Sequence, residues 1–141
     1  MNGIDQPPRH RVLIVDDEET TRLLLARILT NDMQVEATLA GTCEQALRLG
    51  GSYAYDAILL DLMMPGIGGF GVLKALRAHS PNAATPIIIV SMLSEPETVD
   101  RCMAAGANAY LLKPVERTSL AATIRAQIAA RGRPVAEPLP G

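Results

Sequence analysis

Aromatic residues are scarce in this sequence, and basic residues are not in excess. Among 141 residues there is no Trp, one Phe and three Tyr, and the formal net charge is −2. A nucleic-acid surface needs a basic patch to meet the phosphates and aromatic side chains on which bases can stack. We therefore expect no direct nucleic-acid binding.

Long hydrophobic runs and a secretory signal are also missing. The longest nearly unbroken apolar stretch, residues 86–93, is far shorter than the roughly 20 residues of a membrane-spanning helix. The first ten residues lack the charged-then-apolar pattern of a signal peptide. The two cysteines, Cys43 and Cys102, have no metal-like spacing and are interpreted as packing residues. These absences predict a cytoplasmic protein with no membrane segment and no disulfide framework.

The composition that remains is that of one globular domain. Hydrophobic residues make up 48% of the chain and charged residues 20%, which is enough for a core. Residues 1–10 and 131–141 are rich in proline, glycine and polar groups, so we interpret them as a flexible N-terminal tail and a Pro-rich C-terminal tail or linker. The predicted domain covers residues 11–130.

Within that domain, strand-like and helix-like segments alternate. Apolar runs rich in β-branched residues occupy 11–15, 56–60 and 86–90, with weaker strand signals at 34–38 and 109–112. Regular alternation in so short a chain implies right-handed crossovers and a doubly wound three-layer α/β sandwich with five parallel strands and five helices. In such folds the ligand binds at the carboxyl ends of the strands.

Carboxylates follow two of the predicted central strands. Asp16 and Asp17 follow the first strand, and Asp61 follows the third. An acidic first helical turn would by itself complement the helix dipole, and a lone Asp at a strand end is usually a turn residue. Three acids at one sheet edge, however, favour a cation, and oxygen ligands in this number suit Mg²⁺.

A hydroxyl and a cation follow the fourth and fifth predicted strands. Ser91 comes after the fourth strand and Lys113 after the fifth. With nucleophilic Asp61 and a metal held by the acid pair, these side chains would neutralise a phosphoryl group carried on the Asp61 carboxylate. Each has a simpler interpretation alone, as a cap or a solvated charge, but their joint placement indicates a site.

These motifs make the sequence similar to the receiver domain of two-component response regulators, over about residues 9–130. The resemblance is carried by residues 15–18, residues 60–66, Ser91 and residues 106–114. It implies a flavodoxin-like fold with strand order 2-1-3-4-5. It also implies that a sensor histidine kinase, a histidine phosphotransfer protein or a small phosphodonor supplies a phosphoryl group to Asp61.

The same resemblance assigns the metal ligands. Mg²⁺ would be bound by Asp17, Asp61 and the main-chain carbonyl of Met63, with Asp16 acting mainly through water. The peptide bond before Pro114 would be cis.

The resemblance further implies a switch. Phosphorylation would recruit the Ser91 hydroxyl and make room for the aromatic ring of Tyr110. The simpler interpretation of Tyr110 is a buried strand tyrosine, and the two are compatible if the ring samples inward and outward rotamers. The surface of the fourth helix, fifth strand and fifth helix would then report the state to a downstream effector protein or domain, or form a homodimer. Met63 and Leu93 flank the path of attacking water, and because both are apolar we expect slow self-dephosphorylation.

Three other interpretations compete with a receiver domain. Residues 66–71 spell G-x-G-x-x-G, but this motif follows the third strand and lacks the acid expected about 20 residues later, so we treat it as a flexible loop with an accidental match. An aspartyl-phosphate phosphatase would need a second acid where Met63 stands, so we expect no turnover of an external substrate. A non-phosphorylated interaction module remains the alternative if the site is inactive.

Overall fold

The computed structural model describes residues 9–132, in which five parallel strands form a single sheet between two layers of helices. The sheet order is β2-β1-β3-β4-β5, which confirms the predicted doubly wound sandwich. The elements in chain order are β1 (His10–Val15), α1 (Glu19–Met33), β2 (Val35–Ala40), α2 (Cys43–Ser52), β3 (Ala57–Leu60), α3 (Gly68–Ala78), β4 (Ile87–Ser91), α4 (Pro96–Ala104), β5 (Ala109–Leu112) and α5 (Arg117–Gly132).

The domain extends slightly beyond its predicted limits. His10 is the first residue of β1, and α5 continues to Gly132. The remainder of the two predicted tails, residues 1–8 and 133–141, lies outside the described residues. Within the described part of the chain, no helix is both long and apolar enough to cross a membrane.

Alternate side chains of the central strands enter two separate cores, one on each side of the sheet. Leu13, Ile58 and Ile89 pack with residues of α2, α3 and α4. Their neighbours Ile14 and Leu59 pack with α1 and α5 on the opposite face. Successive strand residues point to opposite faces, so a strand buried on both sides must be apolar at every position. This burial explains the unbroken apolar runs in the sequence.

Residues 66–71, which we had interpreted as a flexible loop, instead form a turn and the start of α3. Gly66 and Gly68 have positive φ angles of 91° and 75°, and the helix begins at Gly68. Gly69 packs directly on the backbone that carries the Asp61 carboxylate: a Cβ added there would overlap the Asp61 carbonyl oxygen and lie 2.6 Å from Leu62 Cα. Gly66 and Gly68 therefore serve the turn, and Gly69 serves backbone packing.

A buried asparagine joins three segments at the amino end of β3. Asn82 Oδ1 accepts hydrogen bonds from the Tyr55 N–H at 2.8 Å and the Thr85 hydroxyl at 2.9 Å. Its amide nitrogen donates to the carbonyls of Gly50 at 2.6 Å and Tyr53 at 2.7 Å. Because every polar position of this fully buried side chain is used, Asn82 fixes the end of α2 against the loop that leads into β4.

Candidate functional site

Two neighbouring strands bring the three predicted acids together. Val15 and Leu60 are paired across β1 and β3, so Asp16 and Asp61, the next residues in each strand direction, emerge side by side. The Asp61 N–H donates to the Val15 carbonyl at 2.9 Å. One carboxylate oxygen from each of Asp16, Asp17 and Asp61 can be chosen so that all lie within 4.8 Å of one another. The sheet register thus builds the acidic cluster.

Lys113 is the cation that bridges this cluster. Its Nζ lies 2.8 Å from Asp16 Oδ2 and 3.6 Å from Asp61 Oδ2. Its own N–H donates to the Ser91 carbonyl at 2.9 Å, which fixes its position beside the end of β4. Burial opposes the charged form of Lys113, but the hydrogen bond to Asp16 and the charges of Asp61 and Asp16 outweigh burial and raise the lysine pKa. Lys113 is therefore held as a cation.

Asp61 is almost fully buried. Only 5% of the residue is exposed, and its Oδ1 accepts a hydrogen bond from the Met63 N–H at 3.3 Å. Burial raises the pKa of the Asp61 carboxyl, while the Lys113 charge and the Met63 N–H partly oppose that rise. The nearby carboxylates of Asp16 and Asp17 add to it. One lysine does not fully compensate three acids, so a further cation at this point would be stabilising.

The donor set fits a hard divalent cation. It consists of carboxylate oxygens, and Asp17 is exposed while Asp16 is buried. Asp16 Oδ2 already contacts Lys113, and Asp16 Oδ1 accepts the N–H of Glu18 at 2.9 Å. Both oxygens of Asp16 are therefore engaged at short distances, whereas the contacts of Asp61 are longer, 3.3 Å from the Met63 N–H to Oδ1 and 3.6 Å from Lys113 Nζ to Oδ2. Asp17 and Asp61 are thus the carboxylates best able to bind a metal. Oxygen ligands with room for several waters are the preference of Mg²⁺.

The acids open into a small surface cavity of about 210 Å³. It is lined by Asp17, Glu18, Asp61, Met63, Met92 and Lys113. Both methionines are exposed, Met63 by 55% and Met92 by 71%. Leu93, which we had paired with Met63 as a residue that tunes dephosphorylation, does not line this cavity. The preceding residue, Met92, lines the cavity instead.

The predicted switch residues Ser91 and Tyr110 both contact the backbone of Leu93. Ser91 is fully buried, and its Oγ accepts the Leu93 N–H at 3.1 Å. The Tyr110 hydroxyl donates to the Leu93 carbonyl at 2.6 Å. Burial raises the pKa of the Tyr110 hydroxyl, and the Ser91 side chain opposes this rise. Both polar groups of the Leu93 backbone are thus held by the two predicted switch side chains.

Two further features complete the description of the site. The Lys113–Pro114 peptide bond is cis. Sequence reasoning did not single out Arg22, whose Nη1 donates to the Asp16 carbonyl at 2.7 Å. The only sequence signal for this contact is an arginine six residues after the first acid, on the helix that follows.

Comparison with known proteins agrees with this geometry. The family model of the response regulator receiver domain matches residues 12–125. The sensory/regulatory protein RpfC of Xanthomonas campestris pv. campestris is 36% identical over 130 residues, which cover 91% of this chain and 18% of RpfC. The cell cycle transcriptional regulator CtrA of Caulobacter vibrioides is 37% identical over 119 residues, 84% of this chain and 50% of CtrA. The chain spans half or less of these relatives' length.

Solved structures show the same fold. The chemotaxis protein CheY4 of Vibrio cholerae has a TM-score of 0.80 at 29% identity, over 85% of this chain and 99% of CheY4. The receiver domain of a Pseudomonas aeruginosa sensor histidine kinase has a TM-score of 0.79 at 27% identity, over 86% of this chain and 99% of that domain. That structure holds a magnesium ion in its active-site cleft. With its sheet order, its acidic pocket and the family match over most of its length, the chain belongs to the response regulator receiver domains of two-component signal transduction.

Proposed function

We propose that this receiver domain is a magnesium-dependent phosphoryl switch in which Asp61 accepts the phosphoryl group. The observation that carries the proposal is the convergence of Asp16, Asp17 and Asp61 beside Lys113. A carboxylate that is buried, next to a fixed cation and open to a cavity has the surroundings of a nucleophile rather than of a surface charge. Asp17, Asp61 and the Met63 carbonyl would hold the Mg²⁺.

In the proposed phosphoryl transfer, each group of the site has a separate role. A carboxylate oxygen of Asp61 attacks phosphorus, a P–O bond forms, and the bond from phosphorus to the donor nitrogen or oxygen breaks with its electron pair leaving on the donor. Mg²⁺, when bound, neutralises charge on the phosphoryl oxygens. Lys113 Nζ, 3.6 Å from Asp61 Oδ2, supplies the second positive charge at the same place. Asp16 keeps that ammonium group in position through its 2.8 Å contact.

The donor and the output follow from the family and are part of the proposal. The donor would be a sensor histidine kinase or a histidine phosphotransfer protein, and the output a downstream effector protein or domain. We propose that the domain turns over no external substrate, because the position two residues after Asp61 is Met63, which cannot protonate a leaving group. The surface of α4, β5 and α5 would carry the signal, either to a partner or to a second copy of the chain.

The switch would act through the Leu93 backbone. A phosphoryl oxygen on Asp61 that draws the Ser91 hydroxyl toward it would disturb the bond between Ser91 Oγ and the Leu93 N–H. The Leu93 carbonyl is in turn the acceptor of the Tyr110 hydroxyl. Tyr110 belongs to β5, and its hydroxyl reaches the loop after β4 through this hydrogen bond. A shift of that loop therefore changes the contact that holds the Tyr110 ring.

The acceptor is tested by intact mass after incubation with acetyl phosphate, with and without Mg²⁺. We expect the wild type to gain the mass of one phosphoryl group only with Mg²⁺, and Asp61→Asn to gain none. Asp56→Asn is the matched control, because Asp56 is a partly exposed acid just before β3. A folded wild type without any mass gain from acetyl phosphate or from a phosphorylated histidine phosphotransfer protein would favour the interaction-module alternative.

The switch is tested by amide hydrogen exchange in residues 91–95. Exchange in the wild type should change when acetyl phosphate and Mg²⁺ are added. In Tyr110→Ala the mass gain should persist, while the change in exchange on phosphorylation becomes smaller, because the Leu93 carbonyl has lost the Tyr110 hydrogen bond in both states. If the loop responds equally in both proteins, Tyr110 has no part in the switch.

A further inference from the structure

Arg22 reaches from α1 to the backbone of the acidic cluster. Its guanidinium donates through Nη1 to the Asp16 carbonyl at 2.7 Å. The Asp16 N–H donates to the Ala40 carbonyl at the end of β2 at 3.1 Å. The carbonyl that Arg22 holds belongs to the peptide unit that joins Asp16 to Asp17, so its orientation sets where both carboxylates start.

Gly41 provides the space for this contact. A Cβ built on Gly41 would lie 2.7 Å from Arg22 Nη1 and 3.1 Å from Arg22 Cζ, which is closer than ordinary van der Waals contact. Gly41 is not among the residues with positive φ, so its backbone conformation is open to other residues. The absence of a side chain at this position is required by the guanidinium and not by the turn.

Arg22 contacts the main chain of the acidic cluster and not its carboxylates. In the part of the chain that the structure describes, Arg22 forms no ion pair with an acid. Its hydrogen bond goes to a main-chain oxygen instead. Arg22 therefore leaves the oxygens of Asp17 and Asp61 available for a metal.

We propose that Arg22, with the space left by Gly41, is a positioning residue for the magnesium site. This inference rests on the metal site of the proposed function, but not on phosphoryl transfer. Groups that orient metal ligands from behind typically change metal affinity by about 10- to 100-fold when removed. Arg22 acts on one peptide unit and not on a ligand side chain, so we expect an effect at the lower end of this range. The Mg²⁺ dissociation constant of Arg22→Ala should be about tenfold larger than that of the wild type.

The primary test is calorimetric titration of Mg²⁺ into the protein without any phosphodonor. Arg27→Ala is the matched control, because Arg27 is an exposed arginine on the same helix that does not line the acidic cavity. Its Mg²⁺ affinity should equal that of the wild type. Arg22→Lys keeps one donor and should recover part of the lost affinity.

The second test is a double-mutant cycle between Arg22 and Gly41. Gly41→Ala should weaken Mg²⁺ binding several-fold by displacing the guanidinium. In the Arg22→Ala background the same change should have little effect, because the group it displaces is gone. Thermal midpoints measured on the same proteins separate loss of stability from loss of metal affinity.

The outcomes are distinguishable. Unchanged Mg²⁺ affinity in Arg22→Ala, with or without a lower thermal midpoint, overturns the inference and leaves Arg22 a purely structural contact. Additive effects of the two substitutions overturn the role of Gly41. A wild type that binds no Mg²⁺ overturns both. A wild type that binds Mg²⁺, shows the Arg22 effect and yet takes no phosphoryl group supports this inference while contradicting the proposed function.

Discussion

Replacing Gly69 with alanine tests how closely α3 packs on the backbone that carries Asp61. The added Cβ would overlap the Asp61 carbonyl oxygen and lie 2.6 Å from Leu62 Cα. The obstacles are backbone atoms, so no side chain can rotate away, and the helix must move. Overpacking of this kind costs about 3 kcal/mol at the upper end of its usual range. The better helix propensity of alanine returns up to about 1 kcal/mol. The net loss of unfolding free energy should therefore be about 2 kcal/mol.

For a domain of this size, that loss lowers the thermal midpoint by roughly 6–10 °C. Gly51→Ala is the control, because Gly51 lies in α2 with nothing within 4 Å of an added Cβ. That variant should gain up to about 1 kcal/mol. Both are measured by urea denaturation and thermal melting, together with the rate of phosphorylation by acetyl phosphate, which Gly69→Ala should also reduce. A Gly69→Ala protein as stable as Gly51→Ala would refute the reasoning.

Three further predictions concern charge, burial and access. Burial raises the Asp61 pKa, so the folded state binds that proton more tightly than the unfolded chain does, and wild-type stability falls as the pH rises through the folded-state pKa. In the presence of a metal chelator at about pH 7, Asp61→Asn should have a higher thermal midpoint than the wild type. The difference between the two midpoints should shrink as the pH is lowered, and a difference that stays constant would contradict this. Asn82→Ala removes four hydrogen bonds of a buried side chain, including those to the buried Tyr55 N–H and Gly50 carbonyl, and should cost roughly 3 kcal/mol or more in urea denaturation, whereas a loss below about 1 kcal/mol would show that water replaces the side chain. Met63→Asn with Leu93→Glu should speed loss of the phosphoryl group in a mass time course, with unchanged decay counting against the role of these positions.

The sheet and the acidic cluster could be predicted because each depends on pattern alone. Strands buried on both faces must be apolar throughout, and that pattern is visible at residues 11–15, 56–60 and 86–90. Parallel strands end at one edge, so residues that directly follow them meet regardless of the sequence distance between them. Asp16 and Asp61 are far apart in the chain yet follow the register pair of Val15 and Leu60.

Contacts that depend on the path of a particular side chain or helix could not be predicted in this way. The space needed by the Arg22 guanidinium is visible at Gly41 only when both residues are placed in three dimensions. Gly69 illustrates the same limit: in the sequence it belongs to a G-x-G-x-x-G pattern with a familiar but different meaning. Glycine is needed at this position because the backbone of α3 lies against the backbone of Asp61 and Leu62. No local sequence pattern encodes that distance. Met92 was passed over because an exposed methionine after a strand has no distinctive signature.

Gly41 and Gly69 both allow close contacts to the main chain of the site. Gly69 lets α3 approach the peptide that follows Asp61, and Gly41 lets Arg22 hold the peptide that follows Asp16. The main chains of Asp16 and Asp61 are therefore held in place, while the carboxylate of Asp16 contacts Lys113. In the proposed site, those of Asp17 and Asp61 would bind the metal. A site fixed at the backbone can change its ligands without rearranging its frame. On this basis, phosphorylation should move the loop that carries Leu93, whose backbone is held by exchangeable hydroxyl contacts, before it moves the strands that carry the acids.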